Sequence, residues 1–148
     1  MNEYDNIDSS GGDLTNDEEI TFLTIEQVII LHSDVLADSS PHESREILSR
    51  NLLESAVMTP QQTFGGEYLY NSLSSMAAAY LIGLCSNHAF QNGNKRIGFA
   101  ACSTFLRANG YQLSFSQQEA VKLTLDVVKH NIGREELTAV LENAMDPL

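Results

Sequence analysis

Apolar residues recur at helical spacing along most of the chain, and the breaks between these runs are short and polar. In "LTIEQVIILHSDVLAD", Val28, Leu31, Val35 and Leu36 share one face, and Thr24 with Gln27 three residues on predicts a capped helix start. "SSPHESREILSRNLLESAVM" predicts a loop and then a second helix whose apolar positions are Ile47, Leu48, Leu52, Leu53 and Val57. "TPQQTFGGEYLY" interrupts the helical pattern, because Pro60 and the Gly65-Gly66 pair call for irregular backbone, and a short hairpin or flap is expected there.

From "EYLYNSLSS" to "NHAF" the pattern predicts one long helix, apolar on nearly every face in its second half and therefore central in the fold. A further helix is expected from about Asn94 to Ala108, ending at Asn109-Gly110. "YQLSFS" suggests a short extended piece, "SQQEAVKLTLDVVKHN" a helix capped by Ser116, and "GREELTAVLENAM" a last helix. No internal repeat is present, and no alternation is long enough for a substantial sheet. The expected fold is all-α, with six or seven helices around a central helical hairpin and one flap.

Charge divides the chain in two. Residues 1–20 hold seven acids (Glu3, Asp5, Asp8, Asp13, Asp17, Glu18, Glu19), no base, and the run Ser9-Ser10-Gly11-Gly12. They are expected to form a disordered acidic tail ahead of a single domain spanning 21–148. The rest carries thirteen acids against eight bases, within a net charge of −12 for all 148 residues. Cations this scarce exclude a nucleic-acid binder. No stretch is long and apolar enough to span a bilayer, and the acidic start lacks the basic region of a secretory signal, so a cytoplasmic protein is expected. Cys85 and Cys102 lie in apolar helical segments without C-x-x-C or close His spacing; reduced core thiols are expected, not a zinc site.

Against this acidic background, the adjacent pair Lys95-Arg96 stands out in "HAFQNGNKR", the nine residues from His88 to Arg96. A helix N-terminus offers unpaired N–H groups and positive dipole, and Gly93 lets an anion approach the backbone. Lys95 and Arg96 add charge at the same end, and His88, one loop away, is a candidate base for an incoming hydroxyl. Taken singly, each has a bland reading: a capping or surface histidine, solvated cations, and a core plug for Phe90. Together they suggest transfer of a phosphorus-containing group, a reaction that depends mainly on positioning and charge stabilisation.

This stretch resembles the loop H-x-F-x-D/E-G/A-N-x-R of the Fic/Doc (Fido) family, and Lys95 before Arg96 is similar to the death-on-curing branch, where AMP-transferring members usually carry Gly. "LTIEQVIILHSDVLA", "LLESAVMTPQQTFGGEYLY" and "FLRANGYQL" are similar to segments of that branch in order and spacing, so the resemblance covers roughly Leu23 to Leu141. It implies a mostly helical fold, ATP as donor with Mg²⁺, and phosphate transfer to a hydroxyl of a protein such as elongation factor Tu, by the toxin half of a toxin–antitoxin pair. Carried onto this chain, it implies His88 as general base, Gly93 and Asn94 as anion nest, Lys95 and Arg96 on the nucleotide phosphates, and Phe90 as anchor of the loop. Thr63, Phe64, Gly65 and Gly66 would belong to a flap that aligns the target by strand addition.

The chain departs from the family pattern at several positions. Asn92 stands where the family has Asp or Glu for Mg²⁺, and an amide oxygen binds that ion without charge. Ala89 replaces a usual Pro, "IGF" follows the loop in place of Thr-Ala, and "EILS" (Glu46 to Ser49) replaces "GIRD". "TAVLEN" (Thr138 to Asn143) fits the S/T-x-x-x-E-G/N pattern of an inhibitory helix, but Phe99 occupies the place of its arginine partner; it is read as an ordinary amphipathic helix, with restraint assigned to a separate antitoxin. The alternatives to phosphate transfer are AMP transfer and a catalytically silent Fido domain that acts as a binding module.

Overall fold

The computed structural model describes residues 19–148; residues 1–18, nearly all of the expected acidic tail, lie outside the described residues. Six α-helices are described: α1 (Ile25–Ser39), α2 (Arg50–Met58), α3 (Leu73–Ser86), α4 (Asn94–Ala108), α5 (Gln117–Val128) and α6 (Arg134–Ala144). A 3₁₀ turn (Thr59–Gln61) and the two-residue strands β1 (Thr63–Phe64) and β2 (Glu67–Tyr68) follow α2. Strand β3 (Tyr111–Leu113) follows α4, and β4 (Met145–Pro147) follows α6. The fold is all-α, as the apolar pattern predicts, with a short β-hairpin flap where Pro60 and Gly65-Gly66 call for one.

α3 is the centre of the domain. Met76, Ala77, Ala78, Tyr80, Leu81 and Leu84 are buried along its length, around its whole circumference. α4 packs antiparallel against it, burying Ile97, Ala101, Cys102, Phe105 and Leu106. The two helices approach closely at Gly98, where a Cβ would stand 2.4 Å from Cys85 Sγ. This contact gives a packing reason for glycine in "IGF". Burial pushes the Cys85 thiol up to about 12 and the Cys102 thiol further in the same direction, so both are packed, protonated thiols and not nucleophiles.

Capping chemistry sets the helix starts. Thr24 and Gln27 form the expected box on α1, and Ser116 with Glu119 forms one on α5. Two starts differ from the pattern-based expectation. α2 begins only at Arg50, because Ser49 takes extended backbone and its Oγ accepts from Leu52 N–H. Ile47 and Leu48 therefore lie outside the helix, in an extended segment that pairs with the loop after α3. α3 begins only at Leu73, because Ser72 and Ser75 cap it and Glu67–Tyr68 belong to the flap. The apolar periodicity of residues 47–53 and 67–73 runs through these stops, but hydroxyl caps override it.

The last helix is expected to run to Met145, but it stops at Ala144. Instead, β4 pairs antiparallel with β3, with Gln112 opposite Asp146. The Leu148 N–H donates to the Gly110 carbonyl, and the Asn109 side chain exchanges two hydrogen bonds with the backbone of Thr21. Tyr80, buried and pushed up to about 12 by that burial, accepts from the Leu23 N–H at 3.0 Å and so fixes the approach to α1.

Gly98→Ala should cost about 1–3 kcal/mol, the usual range for overpacking a close contact. A urea melt of the variant beside the parent checks this; an unchanged midpoint would mean that α3 and α4 can move apart without loss.

Candidate functional site

The chain between α3 and α4 is tied down at almost every residue. Asn87 caps α3, and its side chain donates to the Leu52 carbonyl. His88 lies just past the cap in left-handed backbone (φ +53°) and is exposed, so it does not close the buried helix as the pattern suggested. A non-glycine residue in that region is uncommon and is held there by its surroundings. The surroundings are the extended segment 46–49: the Ala89 carbonyl accepts from the Leu48 and Ser49 N–H groups, and Gln91 N–H donates to the Glu46 carbonyl. Phe90 is buried beneath this pairing.

Asn94, the first residue of α4, uses both ends of its amide on one residue. Its Oδ1 accepts from Phe90 N–H at 3.1 Å and its Nδ2 donates to the Phe90 carbonyl at 2.8 Å. Its contribution to an anion site is therefore backbone only. Gly93, at φ +80°, is the N-cap and brings no side-chain cap, so the first N–H groups of α4 have no capping side chain. Cβ at Gly93 would meet Leu36 at 3.0 Å and His32 at 3.3 Å, so α1 would have to give way, and φ +80° already disfavours a side chain there.

The cations are placed unequally. Lys95 is exposed and forms no ion pair among the described residues. Arg96 is already engaged: its Nη1 donates to Ser39 Oγ (2.7 Å) and Ser40 Oγ (2.9 Å), and its Nη2 pairs with Glu43 Oε1 at 2.6 Å. Both residues border a cavity of about 530 Å³ between α1, α4 and α5, walled by Val35, Phe99, Phe115 and Val121. Flap residues Thr63, Phe64, Gly65 and Gly66 are all exposed, Phe64 at 81%. Positive φ at both glycines gives the turn type that suits a two-residue hairpin.

His32 was overlooked in the sequence, although it occupies the buried stripe Val28, His32, Leu36 of α1. It is 1% exposed, its Nε2 lies 2.8 Å from the Asn92 carbonyl oxygen, and its ring stacks on Phe90 with centroids 3.7 Å apart. A polar residue at an i, i+4 apolar position was the available signal. Burial pushes its imidazole below the usual range, and the guanidinium groups of Arg45 and Arg96 act in the same direction against the Asn92 hydrogen bond. The Asn92 side chain reaches toward the Ser44 carbonyl. It offers an uncharged oxygen, and no cluster of three His, Cys, Asp or Glu side chains suited to a metal exists among the described residues. At this position the chain offers Mg²⁺ one neutral amide oxygen and no carboxylate.

A family model described as the Fic/DOC family matches residues 22–106, more than half of the chain and including the whole loop. The chain belongs to the Fic/Doc family. A relative named Toxin Doc, from Mycolicibacterium smegmatis (strain ATCC 700084 / mc(2)155), is 38% identical over 112 residues, covering 73% of this chain and 86% of that protein. The Glu of the inhibitory-type pattern in this Fic/Doc chain, Glu142, accepts from buried Ser74 Oγ at 3.0 Å, so it is occupied in joining α6 to α3. No described helix is long and apolar enough to cross a membrane.

Two outcomes are expected at this site. Burial makes His32 harder to protonate in the folded protein than in an unfolded chain, which takes up the proton near pH 6.5. Its stabilising contribution is therefore full above about pH 6.5 and is lost as pH falls, so the urea midpoint should drop more between pH 7 and 5.5 in the parent than in His32→Gln. Equal slopes would remove His32 from the acid response. Asn92→Asp should raise Mg²⁺ affinity on the order of tenfold, since one more charge beside a divalent ion is worth roughly 1–2 kcal/mol even in water. Calorimetric titration reads this directly, and no gain would take position 92 out of metal binding.

Proposed function

We propose that the protein transfers the γ-phosphate of ATP to a Ser or Thr hydroxyl of another protein, acting as a Doc-like toxin restrained by a separate antitoxin. A translation factor such as elongation factor Tu is the target class that the resemblance suggests. The observation that carries the proposal is the single tethered loop that holds an exposed histidine at one end and an uncapped, lysine-bearing helix start at the other. The relative named Toxin Doc supports the toxin assignment.

In this reading His88 takes the proton of the target hydroxyl as its oxygen attacks the γ-phosphorus. The bond from that phosphorus to the bridging oxygen breaks, and ADP leaves with the electron pair. The N–H groups at the start of α4 and the Lys95 ammonium face the charge on the phosphates. Arg96 joins them only by exchanging the Glu43 carboxylate for a phosphate oxygen, one anion for another. ATP brings its Mg²⁺ on its own phosphates, and no step is assigned to the metal. The exposed flap, with backbone groups open beside Phe64, is where an extended target segment would align.

A second reading, a silent binding module, draws on two observations: Glu43 already occupies Arg96, and Asn92 supplies no charge.

Label transfer to a bacterial lysate separates the readings, with γ-labelled and α-labelled ATP run in parallel. Label from the γ position only is expected, reduced at least about 100-fold in His88→Ala. Label from the α position would mean AMP transfer, and nucleotide binding without any transfer would leave the binding module.

A further inference from the structure

We propose that His32 is a positioning residue of the transfer site, acting through the peptide between Asn92 and Gly93. A backbone carbonyl only accepts, so the 2.8 Å contact requires that Nε2 of His32 carry a hydrogen and donate it to the Asn92 oxygen. The peptide is planar and trans, so its C=O and N–H point in opposite directions. Drawing the Asn92 carbonyl inward to a buried imidazole therefore aims the Gly93 N–H outward, away from α1. That N–H has no protein acceptor among the described residues and stands immediately before the uncapped start of α4. His32 thus determines on which side the loop presents its first donor to an anion.

The arrangement needs an active hold. A peptide preceding glycine can turn over at little cost, because glycine accepts the backbone angles of both orientations. Asn94 fixes Phe90, and the segment 46–49 fixes Ala89 and Gln91, but none of these bonds reaches the peptide joining Asn92 and Gly93. The described contact that does is the one from His32. An apolar residue would suit the Val28–Leu36 stripe better on burial grounds, since a buried imidazole must recover its lost hydration through a hydrogen bond. The stack on Phe90 locks the ring plane, so the bond has one direction.

The effect on catalysis rests on the transfer reading; the effect on the loop does not. His32→Gln keeps an N–H donor near the same place, whereas His32→Phe keeps a ring on Phe90 and loses the donor. In ¹H–¹⁵N spectra, Gly93 should give one sharp amide signal in the parent and in the Gln variant, and a split or broadened signal in the Phe variant. In the transfer assay, kcat should fall about tenfold or more in the Phe variant with the KM for the target protein nearly unchanged, and the Gln variant should stay within about threefold of the parent. A sharp Gly93 signal in the Phe variant, or a Gln variant no better than Phe, would overturn the proposal. If the parent transfers nothing, the transfer reading fails alone and the amide signals still decide the role of His32. Should His32→Phe fail to fold, His32→Leu, which matches its neighbours on α1, takes its place.

Discussion

The two hydrogen bonds between the Asn94 amide and the backbone of Phe90 are the constraint on which the site depends. They make the loop and the first turn of α4 one object, so whatever holds Phe90 also holds the helix start. Phe90 is held from below by the core, from one side by the His32 ring and from the other by its pairing with Ile47. Three elements distant in sequence thus converge on one residue that has no chemistry of its own. The chemical groups, His88 and Lys95, stay exposed because the anchoring falls to their buried neighbours. A site on a loop gains precision only when its supporting contacts are rigid, and here they are rigid at both ends.

The electrostatics follow the same economy. With eight cations against twenty acids, the chain has few to place, yet Arg45, Lys95 and Arg96 all lie around one loop. Glu43 offsets part of that charge through its 2.6 Å pair with Arg96. Because both partners are partly exposed, the pair is an exchangeable contact and contributes little to stability.

Much of the fold was legible in the sequence where two signals agreed: apolar periodicity placed α1, α4 and α5, and the hydroxyl caps Thr24 and Ser116 marked the starts of α1 and α5. Errors arose where these signals conflicted. Ile47 and Leu48 look like helix residues, but Ser49 forbids the helix and leaves them to pair with a loop some forty positions away, a partnership no local window contains. The pairing of Met145–Pro147 with Tyr111–Leu113 was hidden for the same reason. At the site, residue types and spacing mark His88, Gly93, Asn94, Lys95 and Arg96 as candidates. The position of Arg96 against Glu43, the structural use of the Asn94 amide and the part taken by His32 all depend on tertiary neighbours.

An asparagine grips a neighbouring backbone at each end of the central hairpin's second helix: Asn94 at its start and Asn109 at its finish. The second grip gathers the segment entering at Thr21 and, through Gly110, the residues leaving at Leu148. Both ends of the described domain therefore lie at one pole, and the loop lies at the other, about 20 Å away along α4. A surface tether attached at Leu148 would therefore hold the domain by the pole remote from the loop and leave the loop facing outward.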